Sequence, residues 1–403
     1  MKNILFYGDY DCTTGFGNVS KELVNEFSKE KDFFITVFAT NNHAKEPYNT
    51  AENIYVIPAL STREKGDTDL YSRKSLLKLL YNGSYSIVFC LNDIEVINQL
   101  DEHLRYVKNL RKKENKKSFK SLLYFPIDSE VRKQDLKVLS FLDEAVTYTD
   151  YGKSEVKRLI GTSASYKKLK VIPHAVSENY HKIKDFKSKL NNNKDSFLFG
   201  SINRNSVRKD YGTLLIAFSE LKKQDDYKNC QLYLHCNPLD PFGINLYRLS
   251  QRLGLEVDKD IIFPEDFNEN KGISESELNN IYNSFDCFIT TTTAEGWGLT
   301  VHEAMMCETL VICPLHTSLT EVTNNGKVVL PIKKTSTTVY KDDLEKIRYK
   351  SDTDSVIDSM KLAFNMNSSD KAQKILEAKK FASKFKWKKT AEMFKKLIRK
   401  QIG

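Results

Sequence analysis

The stretch that decides the fold reads Thr293-Ala294-Glu295-Gly296-Trp297-Gly298-Leu299-Thr300-Val301-His302-Glu303-Ala304. An apolar, strand-like segment at residues 287–290 precedes it, and a helix-like segment begins near Leu299. The Gly-x-Gly turn between the two segments predicts free backbone N–H groups at the positive end of a helix. Such an arrangement binds anions and diphosphates. The stretch therefore predicts a strand, a turn and a helix, with an anion site at the turn.

Two carboxylates flank this predicted anion site. Glu295 stands before the turn and Glu303 follows it. A carboxylate beside a phosphate is electrostatically unfavourable, so we expect these two acids to bind something other than the anion. Hydroxyl groups of a sugar and of a ribose are suitable donors of hydrogen bonds to them.

Chain length and composition suit a two-domain protein. The chain has 403 residues, of which 40% are hydrophobic, and this is enough for two cores in domains of roughly 150–200 residues each. It contains no run of about 18 apolar residues and begins without the long apolar core of a signal peptide. Its seven cysteines are scattered and include no Cys-x-x-Cys pair, which is typical of reduced thiols. We therefore expect a cytoplasmic protein, either soluble or peripherally bound to a membrane.

The charge balance favours anionic ligands. There are 62 basic and 53 acidic residues, which gives a net charge of +9. A nucleotide, a membrane surface or a nucleic acid would each fit such an excess, and so would a simple compositional bias of the source. No helix-turn-helix or stacking-aromatic pattern supports a nucleic-acid binder. Oligomeric state leaves no recognisable pattern in the sequence.

The first part of the chain predicts one α/β domain at residues 1–173. A strand at residues 2–8 is followed by Gly15-Phe16-Gly17 and by an amphipathic helix at residues 19–28, which is the opening of a doubly wound parallel sheet. Helical spacing also appears at residues 134–142. Asp128 falls just beyond a strand at residues 121–125, where the ligand-binding edge of the sheet is expected. A loop or helix-capping carboxylate is the alternative for Asp128.

A second α/β alternation begins at residue 197 and belongs to a domain at residues 174–384. Three cations, Arg204, Arg208 and Lys209, lie between its first strand and first helix, where they are well placed to neutralise phosphates. A last helix at residues 385–403 carries an apolar stripe that includes Trp387, with lysines between. Packing against a domain and contact with a membrane both remain open for this stripe.

The ordered set of motifs resembles the GT-B retaining glycosyltransferases, in particular glycosyltransferase family 4. The resemblance covers most of the chain: the Gly15–Gly17 loop, the crossing segment Pro173-His174-Ala175-Val176, the basic segment at residues 200–209 and the block at residues 274–322. It implies two Rossmann-like doubly wound domains that face a cleft. It also implies that the terminal helix with Trp387 packs back on the first domain.

The resemblance assigns roles to individual residues. Arg204 and Lys209 would bind the donor diphosphate, Glu295 would contact the transferred sugar and Glu303 would hold the ribose. A catalytic or donor-sugar role passes to Asp128, although family members often have His at this strand end. The implied catalytic residues are Asp128, Glu295, Arg204 and Lys209. The implied donor-binding residues are Gly15, Phe16, Gly17, Arg204, Lys209, Glu295, Gly296, Trp297, Gly298, Leu299, Thr300 and Glu303.

The function implied is that of a retaining hexosyltransferase. It would move a hexose-type sugar from a UDP- or GDP-linked donor to a hydroxyl of a glycan, a lipid-linked molecule or another acceptor. Cations and a helix N-terminus would stabilise the leaving diphosphate, so no metal and no cofactor are expected. The Asp-x-Asp triplets at residues 67–69 and 352–354 lie in polar stretches and are expected to be solvated loops.

Rival functions stay open at this point. One is a nucleotide-sugar or glycan-binding protein without turnover, and another is a glycosyltransferase that acts on modified nucleic acid. A sugar phosphorylase-like or epimerase-like enzyme is a further alternative within the same fold.

Overall fold

The computed structural model describes residues 1–64, 66–69, 71–186, 190, 196–265, 267, 272–333, 335–340 and 346–402. The chain forms two compact units. The first comprises Met1–Ile127, Val131–Ala175 and Lys386–Gly403, and the second comprises Asp128–Glu130 and Val176–Phe385. Each unit has its own hydrophobic core.

The first unit is built on a sheet of eight strands in the order β3-β4-β2-β1-β5-β6-β7-β8. All neighbouring pairs are parallel except β3 with β4. Its central strands are buried on both faces, which explains their continuous apolar sequences. The strands are β1 (Lys2–Asp9), β2 (Phe33–Thr40), β3 (Tyr48–Ala51), β4 (Ile54–Pro58), β5 (Ile87–Leu91), β6 (Lys120–Phe125), β7 (Glu144–Thr147) and β8 (Leu169–Val171).

Helices connect these strands. They are α1 (Gly15–Ser28), α2 (Arg73–Asn82), α3 (Ile94–Asn98), α4 (Asp101–Lys113), α5 (Asp150–Ile160) and α6 (Ala164–Lys168), with 3-10 helices at Ala59–Thr62 and Lys133–Ser140. The sequence prediction differs at two of them. Helix α1 begins at Gly15 rather than at residue 19, because the Thr14 hydroxyl accepts a hydrogen bond from the Gly17 N–H at 2.9 Å and caps the helix earlier. The segment predicted as a helix at residues 134–142 is the 3-10 helix.

The second unit contains a parallel sheet of six strands in the order β11-β10-β9-β12-β13-β14. The chain builds outward from β9 to β11 and then returns to place β12 on the other side of β9. This reversal is the topological switch point, where doubly wound sheets bind their ligands. The strands are β9 (Leu198–Ile202), β10 (Gln231–His235), β11 (Ile261–Ile262), β12 (Cys287–Ile289), β13 (Leu310–Pro314) and β14 (Leu330–Ile332).

A two-stranded antiparallel hairpin, absent from the sequence prediction, also belongs to this unit. It consists of β15 (Thr335–Val339) and β16 (Ile347–Ser351). The helices of the unit are α7 (Tyr211–Lys222), α8 (Leu246–Arg252), α9 (Glu275–Asn283), α10 (Leu299–Met306), α11 (Thr317–Val322), α12 (Thr353–Asn365) and α13 (Ser368–Ala382), with 3-10 helices at Val207–Lys209 and Asp225–Tyr227. Together these observations confirm the predicted fold class of two Rossmann-like α/β domains.

The last helix, α14 (Trp387–Ile402), belongs to the first unit. Its apolar stripe is buried: the Phe394 ring packs edge-on against Phe27 and Phe89, at centroid distances of 6.4 and 5.1 Å. On its polar side Lys395 pairs with Glu30 at 2.9 Å. The stripe is therefore part of a core.

No helix in the described ranges is long and apolar enough to cross a membrane. The seven cysteines are all free thiols, and six of them are buried.

Candidate active site

Two strand-to-helix connections meet at the switch point of the second unit. Strand β9 leads into residues 203–210, and its neighbour β12 leads into the Thr293–Thr300 turn. The pairing of Phe288 with Gly200 sets the register between the two strands. A Cβ at Gly200 would lie 2.3 Å from the Phe285 ring, so only glycine allows the chain between α9 and β12 to pack this closely.

Backbone hydrogen bonds fasten the two connections to each other. The N–H and the hydroxyl of Thr293 both donate to the Arg208 carbonyl, at 2.7 and 2.9 Å. In return, the Arg208 guanidinium donates to the Ala294 carbonyl at 2.5 Å. These bonds fix the basic segment beside Glu295.

Glu295 is the centre of a partly buried ion cluster. Its carboxylate lies 2.5 Å from the Lys209 ammonium and 3.3 Å from the Arg208 guanidinium. Burial alone would raise the pKa of Glu295, but the charges of Lys209 and Arg208 outweigh burial and hold it at about 2. Burial lowers the pKa of the Lys209 ammonium, and Glu295 opposes that shift. The cluster therefore carries a permanent carboxylate between two cations.

Asp128 joins this cluster from the short segment Asp128–Glu130, which belongs to the second unit. Its carboxylate lies 3.0 Å from the Arg348 guanidinium and 3.9 Å from that of Arg208. Burial would raise the pKa of Asp128, but Arg348, Lys346 and Arg208 lower it to about 2. Asp128 occupies no N-cap position among the described helices, so the capping alternative fails, and the carboxylate is held ionised.

Arg348 comes from the β15–β16 hairpin. Only 2% of this residue is exposed. The hairpin is anchored nearby, because the Tyr349 N–H donates to the Thr293 carbonyl at 3.0 Å and the Tyr349 ring stacks on His316 at 5.4 Å. Among the residues that the structure describes, Arg208, Lys209 and Arg348 thus contact the two carboxylates Asp128 and Glu295.

The turn before α10 has the geometry of an anion site. Gly298 adopts φ +98°, which favours glycine, and a Cβ there would come within 2.9 Å of the Leu319 side chain. The start of α10 has no side-chain cap. Gly296, Leu299 and Thr300 are partly exposed, so the first N–H groups of the helix can be reached from solvent.

Trp297 points away from this opening. Its indole ring is buried against His302 and Phe385, at centroid distances of 5.3 and 5.2 Å. Trp297 therefore contributes packing through its side chain, and only its backbone faces the turn. The Glu295 N–H is held by the Thr317 hydroxyl at 3.2 Å, which fixes the other end of the turn.

Glu303 lies on α10 in a different environment. It is buried, and its carboxyl accepts a hydrogen bond from the Tyr282 hydroxyl at 2.6 Å. Burial raises the pKa of Glu303 to about 7, although the bond from Tyr282 opposes the shift. Glu303 therefore changes between its protonated and ionised forms near neutral pH.

Arg204, also predicted to bind the diphosphate, has other contacts. Its guanidinium pairs with Asp240 at 2.7 Å and lies over the Phe242 ring at 4.6 Å. More than half of the Arg204 side chain is exposed. The structure thus brings Lys209, Glu295 and Asp128 into one cluster and places Arg204 in a separate ion pair.

Gly15, Phe16 and Gly17 form the first turn of α1 in the first unit. The Thr14 hydroxyl that caps this turn also donates to Asp9 at 2.7 Å, and Asp9 accepts a further bond from Thr40 at 2.6 Å. A Cβ at Gly17 would lie 2.6 Å from the Cys12 carbonyl oxygen, so the loop packs tightly on the helix start. A role of these glycines in donor binding stays a prediction.

Sequence reasoning missed Arg348 and gave Arg208 no individual role. Arg208 was recognisable as one of three cations in the basic segment. No local sequence pattern marks Arg348. It reaches the site only because the β15–β16 hairpin packs beside Thr293 and Asp128, which are distant from it in sequence. Thr317 likewise serves the turn only through tertiary contact.

The two Asp-x-Asp triplets have structural partners. Asp69 accepts hydrogen bonds from the backbone and the guanidinium of Arg73 at the start of α2, both at 2.9 Å. Asp352 caps α12 by accepting from the Ser355 N–H at 3.0 Å. Within the described residues, no group of three or more His, Cys, Asp or Glu side chains is arranged to hold a metal ion.

Residues 194–347 match the family described as "Glycosyl transferases group 1". This match covers the basic segment and the Glu295–Glu303 stretch, and it confirms the family resemblance of the second unit. A search of curated proteins found no match.

Solved structures resemble the whole chain. Sucrose-phosphate synthase from Thermosynechococcus elongatus aligns with a TM-score of 0.75 at 13% identity, over 99% of both chains. A UDP-forming α,α-trehalose-phosphate synthase from Burkholderia vietnamiensis aligns at 0.68 and 12%, over 99% of this chain and 98% of that one. An Anabaena protein crystallised with UDP and glucose aligns at 0.67 and 14%, over 99% and 100%. At such identities the likeness establishes the fold, which is GT-B.

Proposed function

Because the chain carries a glycosyl transferases group 1 domain in a GT-B fold, we propose that it is a retaining hexosyltransferase. In this proposal it moves a hexose-type sugar from a UDP- or GDP-linked donor to a hydroxyl of a glycan, a lipid-linked molecule or another acceptor. UDP is the first donor nucleotide to test, because one similar structure is that of a UDP-forming synthase and another contains UDP and glucose.

The observation that carries this proposal is the cluster of Lys209, Arg208 and Glu295 beside the uncapped start of α10. Sugar transfer leaves a nucleoside diphosphate, on which negative charge develops as the bond from the anomeric carbon to the phosphate oxygen breaks. Two cations and the N–H groups of Gly296–Thr300 are preorganised to stabilise that charge. A site of this kind loses little energy to reorganisation during the reaction.

Glu295 has two functions in this proposal. As a permanent anion, it holds Lys209 and Arg208 in place before the donor arrives. Its carboxylate also accepts hydrogen bonds from hydroxyls of the transferred sugar. Glu303 then accepts hydrogen bonds from the ribose hydroxyls, for which its ionised form is the stronger acceptor.

Asp128 is proposed to face the donor sugar at the reacting carbon. With a pKa of about 2 it is an anion at neutral pH, so it can stabilise positive charge that develops on the sugar ring. Arg348 does not react in this scheme; it keeps Asp128 ionised and in position.

Metal independence is part of the proposal. Arg208, Lys209 and the helix N-terminus occupy the role that a divalent ion has in other transferases. We expect transfer to proceed at an unchanged rate in EDTA. Loss of activity in EDTA that manganese restores would contradict this point. A cytoplasmic location, soluble or peripheral to a membrane, is proposed as well.

The first experiment is a thermal-shift screen with UDP-, GDP- and ADP-sugars. The donor that stabilises the protein most is then followed by NMR for release of nucleoside diphosphate and for the anomeric configuration of the product. We expect one nucleotide class to bind, slow hydrolysis without acceptor, and retained configuration with acceptor.

Other outcomes would select a rival function. Binding without release of diphosphate in the presence of any acceptor, modified nucleic acids included, would identify a binding protein. Release that requires no acceptor and yields an isomerised sugar would identify an epimerase-like enzyme. An inverted product would refute the retaining mechanism.

A further inference from the structure

A group of exposed apolar side chains lies on the second unit. Phe242 is 66% exposed, Leu239 is 56% exposed, and Val207, Ile244 and Tyr247 are each exposed to about two fifths. We call these five residues the apolar rim. Large apolar side chains are seldom exposed in a group, and such groups mark contact surfaces.

The members of the rim are neighbours in space as well as in type. The Val207 N–H donates to the Phe242 carbonyl at 3.1 Å. The Asn205 side chain donates to the Ile244 carbonyl at 2.8 Å. These bonds join the segment before α7 to the loop before α8, so Val207, Phe242 and Ile244 lie on adjoining segments. Leu239 lies in the same loop, and Tyr247 lies in the first turn of the helix that follows it.

The loop that carries Phe242 is held in an outward conformation. Asp240 accepts a hydrogen bond from the Phe242 N–H at 2.8 Å, and the Gly243 N–H donates to the Asp240 carbonyl at 3.0 Å. A Cβ at Gly243 would lie 2.3 Å from the Asn205 carbonyl oxygen, so the loop is packed closely against the basic segment. The exposure of Phe242 is thus a property of an ordered turn.

The exposed charges on the two segments that carry the rim, and on α8, have one sign. Arg204, Arg248 and Arg252 are exposed. The two carboxylates of the same segments are engaged within the fold: Asp240 is buried against Arg204, and Asp210 caps α7 through Thr213. Apolar side chains surrounded by exposed arginines form the pattern of a surface that enters the interface of an anionic membrane.

We propose that the apolar rim docks the second unit onto an anionic lipid bilayer. Phe242 and Leu239 insert among the headgroups, while the arginines contact the lipid phosphates. A second copy of the chain fits the surface less well, because a symmetric contact through this patch would bring arginines against arginines. The apolar stripe of α14 offers no such surface, since it is buried in the first unit.

This proposal does not depend on the enzymatic function, and its test needs no sugar donor. The full chain is sedimented with vesicles of phosphatidylcholine alone or of phosphatidylcholine with about 30% phosphatidylglycerol, which gives the vesicles a negative surface potential. We expect at least about tenfold stronger partition to the anionic vesicles, and we expect the difference to shrink in about 0.5 M salt as screening increases.

Three variants distinguish binding through the apolar rim from nonspecific adsorption to vesicles. Leu239→Ser combined with Phe242→Ser should lower partition about tenfold or more, and Arg248→Gln combined with Arg252→Gln should lower it by a similar factor on anionic vesicles only. Leu376→Ser, at a residue of α13 that is 61% exposed, is the matched control and should leave partition unchanged. Unchanged melting temperatures and circular dichroism spectra would show that each variant is folded.

Three results would overturn the proposal. They are equal partition of the parent chain to both kinds of vesicle, equal loss in the Leu376→Ser control, and a concentration-dependent dimer that the Leu239→Ser/Phe242→Ser variant abolishes. The last result would assign the rim to a second copy of the chain.

Discussion

The surroundings of Glu295 and those of Glu303 differ, although both acids flank the start of α10. Glu295 faces Lys209 and Arg208, which lower its pKa to about 2. Glu303 accepts a hydrogen bond from the neutral hydroxyl of Tyr282, and burial, with a smaller contribution from the charge of Glu275, raises its pKa to about 7. One stretch of sequence therefore holds a permanent anion and an acid that titrates near neutrality.

This contrast shows what assigns a role to each carboxylate. Glu295 is fixed in charge and orders the cations that receive the diphosphate. Glu303 is adjustable, because a ligand that donates hydrogen bonds to it favours its ionised form. The difference arises from the charges that tertiary structure places opposite each side chain, and the following substitutions test it from the largest expected effect to the smallest.

The largest effect is expected from Glu295→Gln. Removing this carboxylate leaves Lys209 without its counter-charge and leaves Arg208 with only Asp128 at 3.9 Å. Because the site is partly exposed, unfolding free energy should fall by about 1–3 kcal/mol, between the values for exposed and buried pairs. Transfer should fall to background as well. Urea unfolding and a transfer assay measure the two effects.

The double variant Lys209→Met/Glu295→Gln is the control for this prediction. It removes the pair together and should be more stable than Glu295→Gln alone, while it stays inactive. A Glu295→Gln protein as stable as the parent would show that the ion cluster does not hold the site together.

The second prediction concerns pH and stability. The folded-state pKa of Glu303, about 7, lies above its unfolded value of about 4.5, so its favourable contribution is complete below pH 4.5 and is lost as pH rises through 7. The loss should amount to about 3 kcal/mol at most. Glu303→Gln should flatten urea stability between pH 5 and 8.

Glu295 should behave in the opposite sense. Its folded-state pKa is lowered from 4.5 to about 2, so its contribution is complete above pH 4.5 and is lost as pH falls through 2. A parent protein whose stability is constant from pH 5 to 8 would contradict the assignment of Glu303.

The third prediction tests Arg348 as the residue that positions Asp128. Arg348→Ala should lower kcat about 100-fold with little change in KM for the donor, because a small displacement of a reacting group has a cost of this size. Without Arg348 the Asp128 carboxylate should also protonate at higher pH, and the acidic limb of the rate profile should shift upward. Arg348→Lys should restore part of the activity. A loss of kcat accompanied by a large fall in melting temperature, with no shift of the acidic limb, would indicate a purely structural role.

The fourth prediction links Glu303 to nucleotide binding. If ribose hydroxyls donate to its carboxylate, UDP should bind up to about tenfold more tightly at pH 8 than at pH 6, as the ionised fraction of Glu303 rises. Isothermal titration measures this. In the control variant Glu303→Gln, only the pH dependence that arises from protonation of UDP should remain. An identical pH dependence in both proteins would contradict a ribose contact.

The smallest effect is expected from Arg204→Gln. Arg204 is more than half exposed and already paired with Asp240, so we expect its loss to weaken donor binding no more than about tenfold. Lys209→Met should instead abolish measurable binding. Equal losses in the two variants would place Arg204 on the diphosphate as firmly as Lys209.

Much of the fold could be predicted from sequence because its local patterns are strong. Buried parallel strands have continuous apolar sequences, and β2 and β13 begin and end at the residues where those runs do. The position of α1 was missed at its first turn, where the cap formed by Thr14 outweighs the low helix propensity of Gly15 and Gly17. Such short-range effects alter boundaries without altering the fold.

The candidate site was less predictable, because it depends on contacts between distant segments. The basic segment and Glu295 were both recognisable locally, and their ion pair follows from the pairing of β9 with β12. The contact of Arg348 with Asp128 and the desolvation of Glu303 arise only in the folded state. Sequence alone therefore identified acids and bases without indicating which of them meet.

The order of strands in the second unit has a consequence for synthesis. Strand β9 emerges well before its partner β12, so a growing chain that has completed only β9, β10 and β11 exposes one edge of β9. That edge is apolar and unpaired, which makes it prone to join another chain. Closing it requires a contact between residues far apart in sequence, and such contacts form slowly. The pairing of β9 with β12, which assembles the ion cluster, thus forms late in synthesis. Until it forms, the exposed edge of β9 is the part of the chain that a ribosome-associated chaperone would need to cover.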